Sequence, residues 1–285
     1  MKSLEMIGDA DASIDYDEIG RGPTVVLVPG SCSTGAAWRP IISHWTNRFR
    51  CVTTSLLGYG ATAERRTAAT ADISREMEVV ESVIRRAGHP VHLVGHSFGG
   101  LVGLAVALGR PDLLRSLTIL EAPAPEILRR CGEEEHYRSF RQMTSAYVNA
   151  FQSGQSDAIG EMIDFYGGAG TFAAWPQRVR DYAIATTPAN LMDWSCAYGF
   201  DLTPALLARV AVPSLVAYGE ASHPAPKRAN ELLGRCIPGG RTAAIPGAAH
   251  FMIATHAGEV ARLIAAHIDG TISTSAVNEA CPSGL

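Results

Sequence analysis

The chain has 285 residues, 47% of them hydrophobic and 18% charged, with a formal net charge of −4. That length and apolar fraction suit one large α/β domain, or one domain with an insert, built around a sizeable core. The basic residues are scattered and form no stripe interleaved with aromatics, which excludes a nucleic-acid footprint, and no run approaches 18 consecutive apolar residues, so no membrane span is expected.

From the start, residues 1–9 lack the apolar centre of a signal peptide. Residues 1–20 alternate loosely and predict one or two antiparallel strands, 13–19 being the better, before the turn Gly20-Arg21-Gly22-Pro23. Thr24-Val25-Val26-Leu27-Val28 is a short β-branched run of the kind buried on both faces of a sheet. It runs into the small-residue loop Pro29-Gly30-Ser31-Cys32-Ser33-Thr34-Gly35. Helical spacing follows over 38–45, a second core strand over 50–55, and the turn Leu57-Gly58-Tyr59-Gly60. Residues 61–70 read as a surface loop. An amphipathic helix over 71–87 is closed by Gly88 and Pro90.

Next come a strand over 91–95, the segment Gly95-His96-Ser97-Phe98-Gly99, a Gly-rich apolar helix over 99–108, and a strand over 117–120 ending in Glu121-Ala122-Pro123. From 125 to 207 strand-like runs give way to helical segments, including 134–153 and 156–166, which predicts a helical insertion. A core strand returns at 213–218, then a helix at 227–233, a last strand at 242–245, the loop Gly247-Ala248-Ala249-His250, and a closing helix over 257–268. Residues 270–285 are small, polar and uncapped, and are expected to be disordered. Strands alternating with helices predict a mostly parallel sheet wound by right-handed crossovers.

The chemistry centres on Gly95–Gly99. A strand before G-x-S-x-G and a helix after it is the context of a nucleophile elbow, which holds a serine on a sharp, strained turn. Ser97 is the candidate nucleophile. A hydroxyl needs a base to take its proton, and His250 is the best placed of the nine histidines, in the loop after the last strand. In an open α/β sheet the loops at the carboxyl ends of the strands share one crevice. The bland readings are a tight turn with a bystander serine and a surface histidine. Cys32, Cys51, Cys131, Cys196, Cys236 and Cys281 are far apart with no C-x-x-C, the pattern of reduced thiols in a cytoplasmic protein. His89 and His92 have no ligand geometry in common, and no metal site is expected.

On the residues Val28-Pro29-Gly30-Ser31, Leu57-Gly58-Tyr59-Gly60, Gly95–Gly99 and Gly247-Ala248-Ala249-His250, the chain resembles an α/β-hydrolase over roughly 24–268. The resemblance implies an eight-stranded, mostly parallel sheet flanked by helices, a helical cap inserted after strand 6, and no cofactor. The expected division is a core of 1–124 and 208–269 with a cap of 125–207.

The acid departs from the family's common pattern. After the seventh strand the expected aspartate position is filled by Ser222, which cannot balance an imidazolium charge, and Glu220 stands two residues early. The family's second acid site, the end of the sixth strand, holds Glu121, as in lactonases that open resorcylic macrolactones such as zearalenone; some haloalkane dehalogenases share the place but use an aspartate nucleophile. The expected triad is Ser97, His250 and Glu121, with Glu220 as the alternative acid; the bland reading of Glu121 is a carboxylate that pins the first loop of the cap. The oxyanion hole is expected from the backbone N–H groups of Phe98 and Ser31, with Cys32 as fallback for the second. His96 is given no catalytic role.

Trp38, expected to pack near the oxyanion loop, and Tyr166, Trp175, Met192, Asp193 and Trp194 of the insertion are candidate substrate contacts; Tyr166, Trp175, Met192 and Trp194, with Met162, Phe165 and Phe172, more commonly form simply the core of a cap. The expectation is a serine hydrolase acting on a small-molecule ester or lactone of apolar, medium-sized character. A thioesterase, a C–C bond hydrolase, a cofactor-free haloperoxidase-like enzyme, and a non-catalytic binding protein on the same fold stand as alternatives. A membrane partner is not expected, and a homodimer is left open.

Overall fold

The apolar runs become strands because β-branched side chains pack on both faces of a pleated surface. In a computed structural model of the chain, residues 5–9 and 12–279 are described. The strands are β1 (Glu5–Asp9), β2 (Ala12–Gly20), β3 (Thr24–Val28), β4 (Arg50–Thr53), β5 (Val91–His96), β6 (Leu114–Leu120), β7 (Ser214–Gly219) and β8 (Arg241–Ile245). Their order across the sheet is β1-β2-β4-β3-β5-β6-β7-β8. β1–β2 and β2–β4 pair antiparallel, and the remaining pairs are parallel. The order reverses at β3, which lies between β4 and β5, so the crevice beyond the carboxyl ends of β3 and β5 is where an open sheet of this kind takes a ligand.

The helices are α1 (Arg39–Ser43), α2 (Ile73–Ala87), α3 (Phe98–Gly109), α4 (Pro125–Arg130), α5 (Glu134–Gln152), α6 (Ile159–Gly167), α7 (Thr171–Ala174), α8 (Gln177–Ala185), α9 (Thr187–Gly199), α10 (Pro204–Leu207), α11 (Pro224–Cys236), α12 (Met252–Thr255) and α13 (Ala257–Glu279). Alternate residues of β3 serve the two faces of the sheet. Val26 and Val28 pack into the layer of α2 and α3, and Val25 and Leu27 into the layer of α1 and α13. Each such fully buried side chain contributes about 1.5–3 kcal/mol. α2 starts where Asp72 accepts from the Ser74 N–H and stops at Gly88, whose φ is 82°.

All of the chain from α4 to α10 lies between β6 and β7; within it, α9 packs on α2 and α3, and α4 and α5 on α11. Among the described residues no helix is long and apolar enough to cross a membrane.

Two expectations are corrected. The loop over 61–70 is not merely superficial: Thr62 and Arg66 are buried, because Arg66 inserts among three carboxylates. The closing helix continues through Gly270 to Glu279, since no proline interrupts it and each further residue adds a backbone hydrogen bond. Residues 280–285 of the expected tail, Cys281 included, lie outside the described residues.

Candidate active site

Ser97 sits between β5 and α3 with φ 52° and ψ −127°, a strained conformation for a residue with a side chain. Glycines make the turn feasible. A Cβ on Gly95 would lie 2.2 Å from the Gly99 carbonyl oxygen, and one on Gly99 would lie 2.3 Å from that of Pro29. The register of β5 on β6 aligns His96 with Leu120, and the Ser97 N–H donates to the Leu120 carbonyl at 2.8 Å. Glu121, the next residue, therefore emerges beside Ser97; its own φ is 49°.

His250 joins the two. Its Nε2 lies 3.0 Å from Ser97 Oγ and its Nδ1 lies 2.9 Å from Glu121 Oε1. Glu121 Oε2 accepts from the Gly219 N–H at 2.9 Å and from the Ser222 hydroxyl at 2.6 Å. Burial raises the pKa of the Glu121 carboxyl; the His250 contact and the Ser222 and Gly219 donors outweigh it and hold the group below its ordinary value. An ionised Glu121 fixes the proton on Nδ1 and leaves Nε2 to accept from Ser97. Glu220 takes no part: it is exposed and accepts from the Gly247 N–H at 3.4 Å.

His96 buttresses the ring from behind. Its Nε2 lies 2.9 Å from the His250 carbonyl oxygen, and burial pushes its pKa down to about 3, so it is a neutral donor there. Tyr166 covers His250 with ring centroids 4.0 Å apart.

The loop after β3 closes the other side. A Cβ on Gly30 would come 2.7 Å from Ser97 Cβ, so this backbone passes directly beside the serine. Phe98 is the first residue of α3, and its N–H has no acceptor one turn back. The Ser31 hydroxyl donates to Asp193 Oδ2 at 2.6 Å. The same oxygen accepts from the Tyr59 hydroxyl at 2.6 Å, and Oδ1 pairs with Arg66 at 2.7 Å. Arg66 also pairs with Glu76 at 2.9 Å and Glu64 at 2.8 Å. Burial raises the pKa of Asp193 and pushes that of Glu76 up to about 8, so this pair retains a proton well above the usual carboxylate range. Burial likewise pushes the Cys32 thiol up to about 12, which removes it as a nucleophile at neutral pH.

A cavity of about 460 Å³ opens over Ser97. Tyr166, Trp175, Asp193 and Trp194 line it, as does Met162; Met192, Trp38, Phe165 and Phe172 do not. Trp38 is fully buried on the far face of the sheet with Val25, Leu27 and Ile41. On α9 the residues facing the cavity are Asn190, Asp193, Trp194 and Ala197, the i, i+3, i+4, i+7 stripe of one helix face, and Met192 lies off it.

Sequence reading placed Ser222 at the acid position without its donor role, gave His96 no catalytic role, and did not single out Asn190, whose signal is its place on that stripe one turn before Asp193.

A serine on a strand-to-helix elbow of a parallel sheet, with a loop histidine and a carboxylate converging on it, defines a protein of α/β-hydrolase type. The family described as "Alpha/beta hydrolase family" matches residues 25–263, and the chain belongs to it. A pimeloyl-(acyl-carrier protein) methyl ester esterase from Aliivibrio salmonicida is 33% identical over 112 residues, covering 39% of this chain and 41% of that protein. The chain spans about half the length, or less, of several curated relatives it matches. Among solved structures, a hydrolase from Pseudomonas aeruginosa PA01 superposes with a TM-score of 0.74 at 22% identity, over 93% of this chain and 98% of that one. The enol-lactonase from Burkholderia xenovorans LB400 has a TM-score of 0.70 at 17% identity, over 93% and 100%. These two likenesses are of fold.

Proposed function

We propose that the chain is a serine hydrolase that cleaves an ester or lactone of an apolar, medium-sized small molecule through an acyl-enzyme. The observation that carries this reading is the unbroken relay from Ser97 Oγ through His250 to Glu121, at 3.0 and 2.9 Å. Ser97 Oγ attacks the carbonyl carbon as His250 Nε2 takes its proton. The carbonyl oxygen becomes an oxyanion, held by the Phe98 and Ser31 N–H groups. Collapse breaks the bond to the alkoxy oxygen, which leaves with the proton from His250. Water then attacks the acyl-enzyme with His250 as base, and Ser97 recovers its proton as the acid departs. Glu121 stays ionised throughout and stabilises the imidazolium. The elbow's strain and the glycines packed around it support this use, as does the likeness to a methyl ester esterase.

The test is labelling by a fluorophosphonate probe, followed by an ester and lactone panel. Labelling of the wild type that disappears in Ser97→Ala is expected. A wild type that resists the probe and hydrolyses nothing in the panel refutes the reading in favour of a binding protein.

A further inference from the structure

The cavity over Ser97 holds a polar group that the triad does not use. Asn190 is 2% exposed, its side-chain oxygen has no hydrogen-bond partner, and the residue is part of the cavity wall. A buried amide without a partner is uncommon, because leaving it unpaired costs the full desolvation of the group. Tyr166 is part of the same wall, and its hydroxyl is also buried and without a partner. The surrounding wall is largely apolar, from Met162, Trp175, Val179 and Trp194 to Phe251 and Ile253, and it contains no lysine or arginine. Asp193, its one carboxylate, is fully engaged by Ser31, Tyr59 and Arg66. An anionic substrate group therefore finds no cation here, whereas a neutral hydroxyl finds an amide oxygen. Asn190 precedes Asp193 by one helical turn, so their Cβ atoms are about 5–6 Å apart, and Asp193 touches the loop beside Ser97.

We infer that Asn190 is a specificity-determining residue. It binds a second, uncharged polar group of the substrate, a hydroxyl a few bonds from the scissile carbonyl that donates to the Asn190 side-chain oxygen, on an otherwise apolar skeleton. Tyr166 is the second polar contact available to that hydroxyl. This inference rests on the hydrolase reading and names its substrate class: hydroxy-substituted esters and lactones.

The test compares kcat/KM for ethyl hexanoate with ethyl 3-, 4- and 5-hydroxyhexanoate, each normalised to its rate of alkaline hydrolysis. The wild type is expected to prefer at least one hydroxy ester over ethyl hexanoate by about tenfold to a hundredfold, the discrimination typical of a buried polar group left unpaired by the wrong ligand. In Asn190→Leu, similar in size but unable to hydrogen-bond, that ratio should fall towards one; Tyr166→Phe should reduce it partly. Should Asn190→Leu fail to fold, Asn190→Ala and Asn190→Ser give the same ratio. A variant that keeps the wild-type ratio, or a wild type that hydrolyses every ester without regard to the hydroxyl, overturns the inference and leaves the hydrolase reading standing. Absence of both hydrolysis and probe labelling of Ser97 instead removes the hydrolase reading.

Discussion

The Ser222 hydroxyl donates to Glu121 Oε2 at 2.6 Å, while Oε1 of the same carboxylate meets His250 Nδ1 at 2.9 Å. Ser222 stands where the common family pattern has its acid, and here it serves the acid that stands on the neighbouring strand. The Ser222 donor favours the ionised form of that carboxylate.

Glu121→Gln should fold and lose about 10³–10⁴-fold in kcat, because the amide no longer holds the imidazole tautomer or balances its charge. Glu220→Gln should stay close to wild type. Steady-state kinetics on one good ester check both, and the reverse pattern would exchange the two assignments.

Ser222→Ala removes a hydrogen bond to a charged, buried carboxylate, an interaction worth about 1.5–3 kcal/mol. Loss of stability of that order in urea unfolding at pH 7 is expected. Glu121's folded pKa lies below its unfolded value, so its contribution is present above the unfolded pKa and is lost as pH falls through the folded one. The gap between wild type and Ser222→Ala should therefore narrow in acid.

Glu76 has the opposite sign. Its pKa rises from 4.5 to about 8 on folding, so between those values the folded chain holds a proton that the unfolded chain has released. Stability should fall as pH rises from about 4.5 towards 8. Glu76→Gln should flatten that slope, seen as a smaller difference in Tm between pH 5 and pH 8. An unchanged slope would mean that Glu76 is ionised beside Arg66.

Asp193→Ala leaves Arg66 short of a buried partner and frees the Ser31 and Tyr59 hydroxyls. Breaking such a buried pair costs about 3–5 kcal/mol. At temperatures where the variant remains folded, kcat should fall more than KM rises, since the Ser31 loop supplies a donor of the proposed oxyanion hole. Chemical denaturation and kinetics together separate the two effects.

Gly30→Ala places a methyl group 2.7 Å from Ser97 Cβ. Displacing the nucleophile by this much should cost about 10²-fold in kcat/KM with the far-ultraviolet circular dichroism retained. Wild-type turnover would show that the loop yields without moving Ser97.

The amino-acid sequence by itself determined the elements and the points that carry the chemistry. β3, β5 and the elbow were legible because β-branched runs and closely spaced glycines act through near neighbours. Ser97 and Glu121 could be named as candidates because each follows directly on a strand end, and His250 because it stands in the loop after the last strand. Tertiary structure decided how those points are connected. His250 meets Glu121 across 129 residues, Ser222 meets Glu121 across 101, and Ser31 meets Asp193 across 162. Such pairings depend on the β5–β6–β7 register and on how α9 seats against the core, which no local pattern encodes. Helix rotation alone put Asn190 into the cavity and Met192 off its wall, and packing against α1 and α13 kept Trp38 below the sheet.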